Sequence, residues 1–317
     1  MIKKVATDLC CLQKTCNKTG LKLESFVGTK DECVEGFLSC KICNSKYPII
    51  QGIPILLENF HEYACKRIIT FGKWILNSNS PEIKSFLKSE GLKIRVPTCN
   101  DRYEENGIWY KPYLNTLNRY PSNDRLLSLF KKQLNPHDIY KKLTNEDLNL
   151  NGIGLDIGCS IGISTFEISK KLSYVFGIDL SFSFILEARK LMRSRKKRNM
   201  EFMVADATNL PFKPNFFNNI IGLNVIDRLD FSKLILAING SLQKNGKLIL
   251  VDPYHFLDDY SKDKFDAIQI RKILGKLGYK IDKEQSYLPW IMKMNDRTYL
   301  FYFVDFIVAE KNFNINL

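Results

Sequence analysis

Asn151–Ser169, NGIGLDIGCSIGISTFEIS, is the stretch on which the fold turns. Its first part is a short apolar run of the kind that a strand covered on both faces needs, ending at the carboxylate of Asp156. A turn through Gly158, Ser160 and Gly162 follows, and the pattern predicts a helix beginning near Ile163. Small residues in such a turn let the backbone approach a ligand closely, and a helix start offers N–H groups not used in helical bonds. The dinucleotide spacing G-x-G-x-x-G is absent, because the loop reads D-x-G-x-S-x-G. The loop alone therefore does not name its ligand.

Working outward, YVFGID predicts a second strand with Asp179 at its end, followed by Leu180, where a carboxylate can accept hydrogen bonds from both hydroxyls of a ribose. EFMVADATNLPF predicts a third strand, then Asp206 and Ala207, placed to meet an adenine amino group. FNNIIGLNVIDRL gives a fourth strand with a polar tip at Asn224, and GKLILVDPYHF a fifth. SKDKFDAIQIRKILGKLGYKID reads as a helix and a strand, and RTYLFYFVDFIVAEK as a long final strand. The residues between Gln285 and Phe301 are expected to form a loop over the site. Strands alternating with helices predict an α/β domain.

This ordered series, from about Gly152 to Glu310, resembles the class I S-adenosylmethionine-dependent methyltransferases, in the type 11-like subgroup that includes quinone and small-molecule enzymes. The resemblance implies a Rossmann-like seven-stranded sheet with an antiparallel last hairpin. It also implies that Asp156, Gly158, Ser160 and Gly162 surround the methionine part of the cofactor. Asp179 and Leu180 would hold the ribose, Asp206 and Ala207 frame the adenine, and Asn224 complete the set. Ser160 stands where the family usually has a second glycine. A cofactor-free doubly wound domain is the competing reading.

The N-terminal part has a different character. Six of the nine cysteines (Cys10, Cys11, Cys16, Cys33, Cys40, Cys43) fall in the first fifty residues, which is not the whole-chain spread of a disulfide framework. Cys40 and Cys43 have the spacing that lets two thiolates of one turn reach a tetrahedral zinc ion, and Cys11 with Cys16 supplies the favoured second pair. Cys10 could replace Cys11. Pro48, Gly52 and Pro54 punctuate the apolar runs of YPIIQGIPILL. Leu9 to Leu57 resembles the small zinc-ribbon family that activates tRNA and release-factor methyltransferases as a separate subunit, with relatives fused to methyltransferase domains. Tyr47 to Leu57 matches throughout; the first knuckle departs, since the family usually has Cys-Pro-x-Cys. Reduced thiols in a small β module are the alternative to structural zinc.

Three domains are expected: a zinc ribbon at 1–59, a helical connector or lid at 60–149, and the methyltransferase domain at 150–312. In the connector FHEYACKRIITFGKWILNS and SPEIKSFLKSEGL read as amphipathic helices, and Pro121 with Ser122 or Asn123 as a helix start. Trp109, Tyr110, Tyr113 and Tyr120 line either a substrate pocket or a helix–sheet contact.

Hydrophobic residues at 45% and aromatics at 12% are ordinary globular usage for a chain of 317 residues. No segment is apolar enough to span a membrane, and the N-terminus lacks an apolar signal core, so a cytoplasmic protein without membrane partners is expected. The net charge of +13 attracts polyanions. Its densest run is ARKLMRSRKKRN, with Arg189, Lys190, Arg193, Arg195, Lys196, Lys197 and Arg198. That run is either an RNA phosphate track or a solvated helix end.

Methyl transfer is an in-line displacement that asks for position and a nucleophile. No Asn-Pro-Pro-Tyr or Asp-Pro-Pro-Tyr motif follows the fourth strand, and Asp252-Pro253-Tyr254-His255 follows the fifth. The tip from Asn224 to Arg228, with Tyr254, resembles protein-histidine and mercaptohistidine methyltransferases, which act on imidazole. That implies catalytic roles for Asn224, Asp227 and Tyr254, with His255 a candidate general base. Asp227 pairing with Arg228, and a structural His255, are the plainer readings. The acceptor is left as RNA, protein, an imidazole or a small molecule; a noncatalytic assembly protein keeping its cofactor pocket is the other class. A partner subunit is possible, or the fused ribbon replaces it.

Overall fold

The computed structural model describes residues 1–94, 136–256, 264–295 and 297–312. In chain order the strands are β1 (Leu21–Gly28), β2 (Cys33–Cys40), β3 (Lys46–Ile50), β4 (Ile53–Leu56), β5 (Ile153–Ile157), β6 (Tyr174–Asp179), β7 (Met200–Ala205), β8 (Phe217–Leu223), β9 (Leu242–Asp252), β10 (Tyr279–Lys293) and β11 (Tyr299–Lys311). The helices are α1 (Phe60–Cys65), α2 (Ile68–Asn77), α3 (Pro81–Leu92), α4 (Pro136–Lys142), α5 (Ile163–Ile168), α6 (Phe182–Ser194), α7 (Phe231–Ser241) and α8 (Ala267–Lys276). The described residues fall into two compact units, 1–94 with 178–213, and 136–177 with 214–312. The domains 1–59, 60–149 and 150–312 are a division by motif, which compactness does not address.

In the first unit β1 to β4 form an antiparallel meander. β4 then pairs in parallel with β7, Ile55 opposite Val204 and Leu56 opposite Ala205. This pairing corrects the seven-stranded expectation. The described residues hold eleven strands in mixed pairing, because the ribbon strands continue from β7 instead of standing apart. Further links fasten the ribbon to the segment after β7: the Cys10 N–H donates to the Pro211 carbonyl at 2.8 Å, Lys18 Nζ donates to the Leu210 carbonyl at 2.6 Å, and Leu9 bridges Phe212. Beneath them Arg189 of α6 pairs with Glu201 of β7, both essentially inaccessible, and Glu201 also accepts from the Ile2 N–H at 2.6 Å. Removing either member of such a pair strands a buried charge, a cost of about 3–5 kcal/mol.

The single helix expected over FHEYACKRIITFGKWILNS is two. It breaks at Lys66 and Arg67, where Arg67 leaves helical geometry (φ −134°) and lays its guanidinium 3.9 Å from the Tyr63 ring centre. α3 begins as expected, with Pro81 at its first turn and Ser80 accepting from the Ile83 N–H. Trp109, Tyr110, Tyr113, Tyr120, Pro121, Ser122 and Asn123 lie outside the described residues.

In the second unit β5, β8 and β9 run parallel, with Asp156 opposite Ile221 and Leu223 opposite Val251. Antiparallel β11 and β10 follow. Leu155, Ile157, Ile220, Ile221, Leu248, Ile249 and Val251 are fully buried, as strands covered on both faces require. α7 buries Phe231, Leu234, Ile235 and Ile238, a helical stripe, behind an Asp230 cap. The loop expected between Gln285 and Phe301 is instead mostly strand. β10 and β11 pair from Leu288–Val304 to Lys293–Tyr299, because Trp290, Ile291 and Met292 are apolar enough to be buried.

Candidate functional site

In the second unit the candidate residues lie at and after the C-terminal ends of parallel strands, where open α/β sheets place ligands. Asp156 is buried, and its Oδ2 accepts from Ser164 Oγ at 2.6 Å and Thr165 Oγ1 at 2.5 Å. The carboxylate thus ties the strand end to α5, a helix of only six residues. The turn between them is left-handed at Gly158 (φ 65°), Ser160 (φ 50°) and Gly162 (φ 87°). At Gly158 a Cβ would lie 2.6 Å from Cγ2 of Val225, so any side chain there collides with the tip of β8. Ser160 adopts the same left-handed backbone with a Cβ, a strain of about 1–2 kcal/mol that concentrates at sites over-determined by function.

Asn224 is also left-handed (φ 51°), and its Oδ1 is buried with no hydrogen-bond partner among the described residues. A buried acceptor left open costs about 1–3 kcal/mol, which a ligand N–H or O–H recovers. Asp227 is 1% exposed, with Arg228 Nε at 3.4 Å from Oδ1 and no hydrogen bond of normal length to either oxygen among the described residues. Burial pushes its carboxyl above the usual carboxylate range, opposed by the charges of Arg228 and His255. Asp252 is different: it latches the two strand tips, accepting from the Ile226 N–H at 3.1 Å and the Tyr254 N–H at 2.8 Å. Burial first, and then neighbouring Asp227, raise Asp252 strongly.

Tyr254 has a left-handed backbone (φ 56°). Burial, then the Asp305 carboxylate, push its phenol upward, so it stays protonated at neutral pH and is unsuited to act as a base. Asp305 is clamped in turn by Arg271 at 2.8 Å. His255 is exposed.

In the first unit Asp179 ends β6 and its Oδ1 accepts from the Ser181 N–H at 2.8 Å. The intervening Leu180 carbonyl accepts from the Tyr63 hydroxyl at 2.7 Å. Asp206 forms its own turn, accepting from the N–H and hydroxyl of Thr208 at 2.8 and 2.7 Å, and Ala207 beside it is buried. Asn209 Nδ2 continues this turn to the Leu12 carbonyl and to Glu58 at 3.4 and 3.2 Å.

The four cysteines Cys11, Cys16, Cys40 and Cys43 place all their sulfurs within 4.8 Å of one another, and Cys10 is outside the group. Cys11 and Cys43 are 3.6 Å apart, Cys16 and Cys40 3.7 Å. Zinc bonds to sulfur of about 2.3 Å in a tetrahedron put sulfurs about 3.8 Å apart, so the donor set fits that ion. Hydrogen bonding with the Ser45 hydroxyl, 3.1 Å away, holds the Cys43 thiol down to about 6 and favours the ligating thiolate. The Tyr47 hydroxyl lies 3.4 Å from Cys11 Sγ and accepts from the Leu12 N–H.

Sequence reasoning missed Ser164, Thr165, Val225, Asp252 and Tyr63. The adjacent Ser-Thr pair after the glycine turn was a usable signal for the Asp156 partners. Val225 and Tyr63 act through contacts that no local pattern announces.

Residues 155–250 match the family model described as a methyltransferase domain. A demethylmenaquinone methyltransferase of Lactococcus lactis is 24% identical over 163 residues, covering 50% of this chain and 64% of that protein. A tRNA (guanine-N(7)-)-methyltransferase of Prochlorococcus marinus is 27% identical over 169 residues, 46% of this chain and 77% of that one. Among solved structures, phosphoethanolamine N-methyltransferase 2 of Haemonchus contortus, in complex with S-adenosyl-L-methionine, aligns with a TM-score of 0.49 and 17% identity over 68% of this chain and 59% of that one. The chain spans less than two thirds of the Lactococcus protein's length. These similarities support an α/β methyltransferase fold for the segment that the family model matches. No helix among the described residues is long and apolar enough to cross a membrane.

Proposed function

We propose that this protein transfers a methyl group from S-adenosylmethionine to a nucleophile received at the tips of β8 and β9. The observation that carries the reading is the left-handed glycine turn, with Gly158 held bare by Val225, inside the segment that matches the methyltransferase family. When bound, the cofactor supplies an electrophilic methyl for in-line displacement. Asp156 fixes the turn that receives the methionine part, together with Gly158, Ser160 and Gly162. Asp179 and Leu180 meet the ribose, Asp206 and Ala207 the adenine, and the open Oδ1 of Asn224 takes a donor from the bound ligands. Asp227 receives or orients the acceptor's proton, its burial having raised its proton affinity. His255, exposed beside Asp227, is the secondary candidate for that proton. Tyr254 keeps a positioning role.

A macromolecular acceptor, RNA or protein, is supported by the fused ribbon and the basic surface, and the tRNA-methylating relative is of that kind. The quinone-methylating relative supports a low-mass acceptor. Zinc in the cysteine cluster is structural, and the fused ribbon stands in for a separate activating subunit.

The test is incubation with methyl-labelled S-adenosylmethionine and fractionated lysate. Label in nuclease- or protease-sensitive material identifies the macromolecular class, label on imidazole the histidine reading, and low-mass label makes the ribbon an appendage. No label, with the cofactor shown to bind, points to a missing substrate or partner subunit, or to a noncatalytic assembly protein.

A further inference from the structure

We infer that Tyr63, on the helix that follows the ribbon, is a positioning residue for the ribose of the bound cofactor. The inference rests on the methyltransferase reading, in which Asp179 meets the ribose hydroxyls. Three residues form the turn that carries this carboxylate. Asp179 closes it by accepting from the Ser181 N–H at 2.8 Å, and Ser181 then caps α6 by accepting from the Phe184 N–H at 3.3 Å. The Leu180–Ser181 peptide carries the Ser181 N–H on one side and the Leu180 carbonyl on the other, so these bonds hold it from one side. Its carbonyl is where the Tyr63 hydroxyl donates, at 2.7 Å.

Tyr63 is itself held from two sides. The Arg67 guanidinium, at the break between α1 and α2, lies 3.9 Å from its ring centre. On the other side its ring stacks on Trp74 at 6.2 Å and 16°. Trp74 is 1% exposed and meets Phe182, the first residue of α6, edge to face at 4.9 Å. One aromatic pair therefore grips the turn at its middle residue, Leu180, by a hydrogen bond and just past its end, at Phe182, by packing. A hydrogen bond from a rigid ring costs little further ordering, so it restrains the peptide, and with it the direction of the Asp179 carboxylate, before any ligand arrives. Nothing in the glycine turn or in the Asp206 turn duplicates this contact among the described residues.

The experiment is calorimetric titration of the full chain with S-adenosylmethionine, comparing wild type with Tyr63→Phe, which keeps the ring and deletes only the donor. Tyr279→Phe removes a buried phenol hydroxyl that has no hydrogen-bond partner among the described residues, and it controls for the loss of a tyrosine hydroxyl as such. Tyr63→Phe should weaken cofactor binding about three- to tenfold, the range for one lost hydrogen bond, with the unfolding temperature within about two degrees of wild type. Adenosine, which keeps the ribose and lacks the methionine part, should lose the same factor. Tyr279→Phe should bind like wild type. Unchanged binding by Tyr63→Phe beside a binding wild type overturns this inference alone, as does a loss equalled by the control. A wild type that binds no S-adenosylmethionine overturns the methyltransferase reading and takes this inference with it.

Discussion

A carboxylate as buried as that of Asp227, with a guanidinium at 3.4 Å and no hydrogen bond of normal length among the described residues, is destabilising whenever it is ionised. The sign of the pH effect follows. Its folded pKa is raised by burial, while in the unfolded chain it titrates near 3.9. From about pH 4 upward the unfolded chain releases a proton that the folded chain keeps, so this residue's contribution to stability falls until the folded carboxyl ionises too, and is flat beyond. Asp227→Asn removes that part of the slope, leaving the part due to Asp252. Its unfolding temperature at pH 8 should rise by about 1–3 °C, and methyl transfer should fall by about 10²- to 10⁴-fold if the carboxylate handles the acceptor's proton. Thermal melts from pH 4 to 8, with label transfer at pH 8, check both arms; retained transfer would remove Asp227 from the chemistry. The residue types at this tip were legible in the sequence because a strand ending in Asn and Asp is locally unusual. Which carboxylate latches the backbone and which is left over was not, since Asp252 and Asp227 differ only in what faces them across two loops.

At the scale of elements, the ribbon is joined to β7 by a parallel pairing two residues long and by bonds that run from Cys10 and Lys18 to Pro211 and Leu210. The metal cluster and the Asp206 turn are thus separated by one short path, Cys11 to Leu12 to Asn209. Metal analysis should find one zinc per chain in wild type and in Cys10→Ser, and a large loss in Cys40→Ser and Cys43→Ser. Chelation should lower the main unfolding transition, because β4 is part of the sheet that contains β7; a separate small transition would mean that the ribbon folds alone. The strands and cysteine pairs of this region were readable because they rest on knuckle spacing and proline punctuation. The pairing with β7 was not, since two strands roughly 150 positions apart in the sequence leave no periodic trace of their adjacency.

Across the whole molecule the net charge of +13 draws the eye to the run from Arg189 to Arg198, and the structure divides that run in two. Arg189 is 1% exposed and committed to Glu201, Lys190 pairs with Glu187 at 3.3 Å, and Arg193 pairs with Glu32 at 3.3 Å. Arg195, Lys196, Lys197 and Arg198 form the exposed end after α6. A linear pattern cannot make this distinction, because a buried and a solvated arginine occupy the same helical spacing. The consequences are opposite for the two halves. Replacing the four exposed residues with glutamine should leave folding within about 0.5 kcal/mol each. If RNA is the partner, the same change lowers the slope of log affinity against log salt by up to about 3, at about 0.7 per phosphate contact on a single strand. Arg189→Gln should do the reverse, costing about 3–5 kcal/mol of stability while the salt slope of the folded fraction stays as it was. Filter binding of single-stranded RNA between low and moderate salt, beside urea melts of both variants, separates the halves. An unchanged slope in the fourfold variant would assign the run to solubility, and with it would go the main physical argument for RNA over a low-mass acceptor.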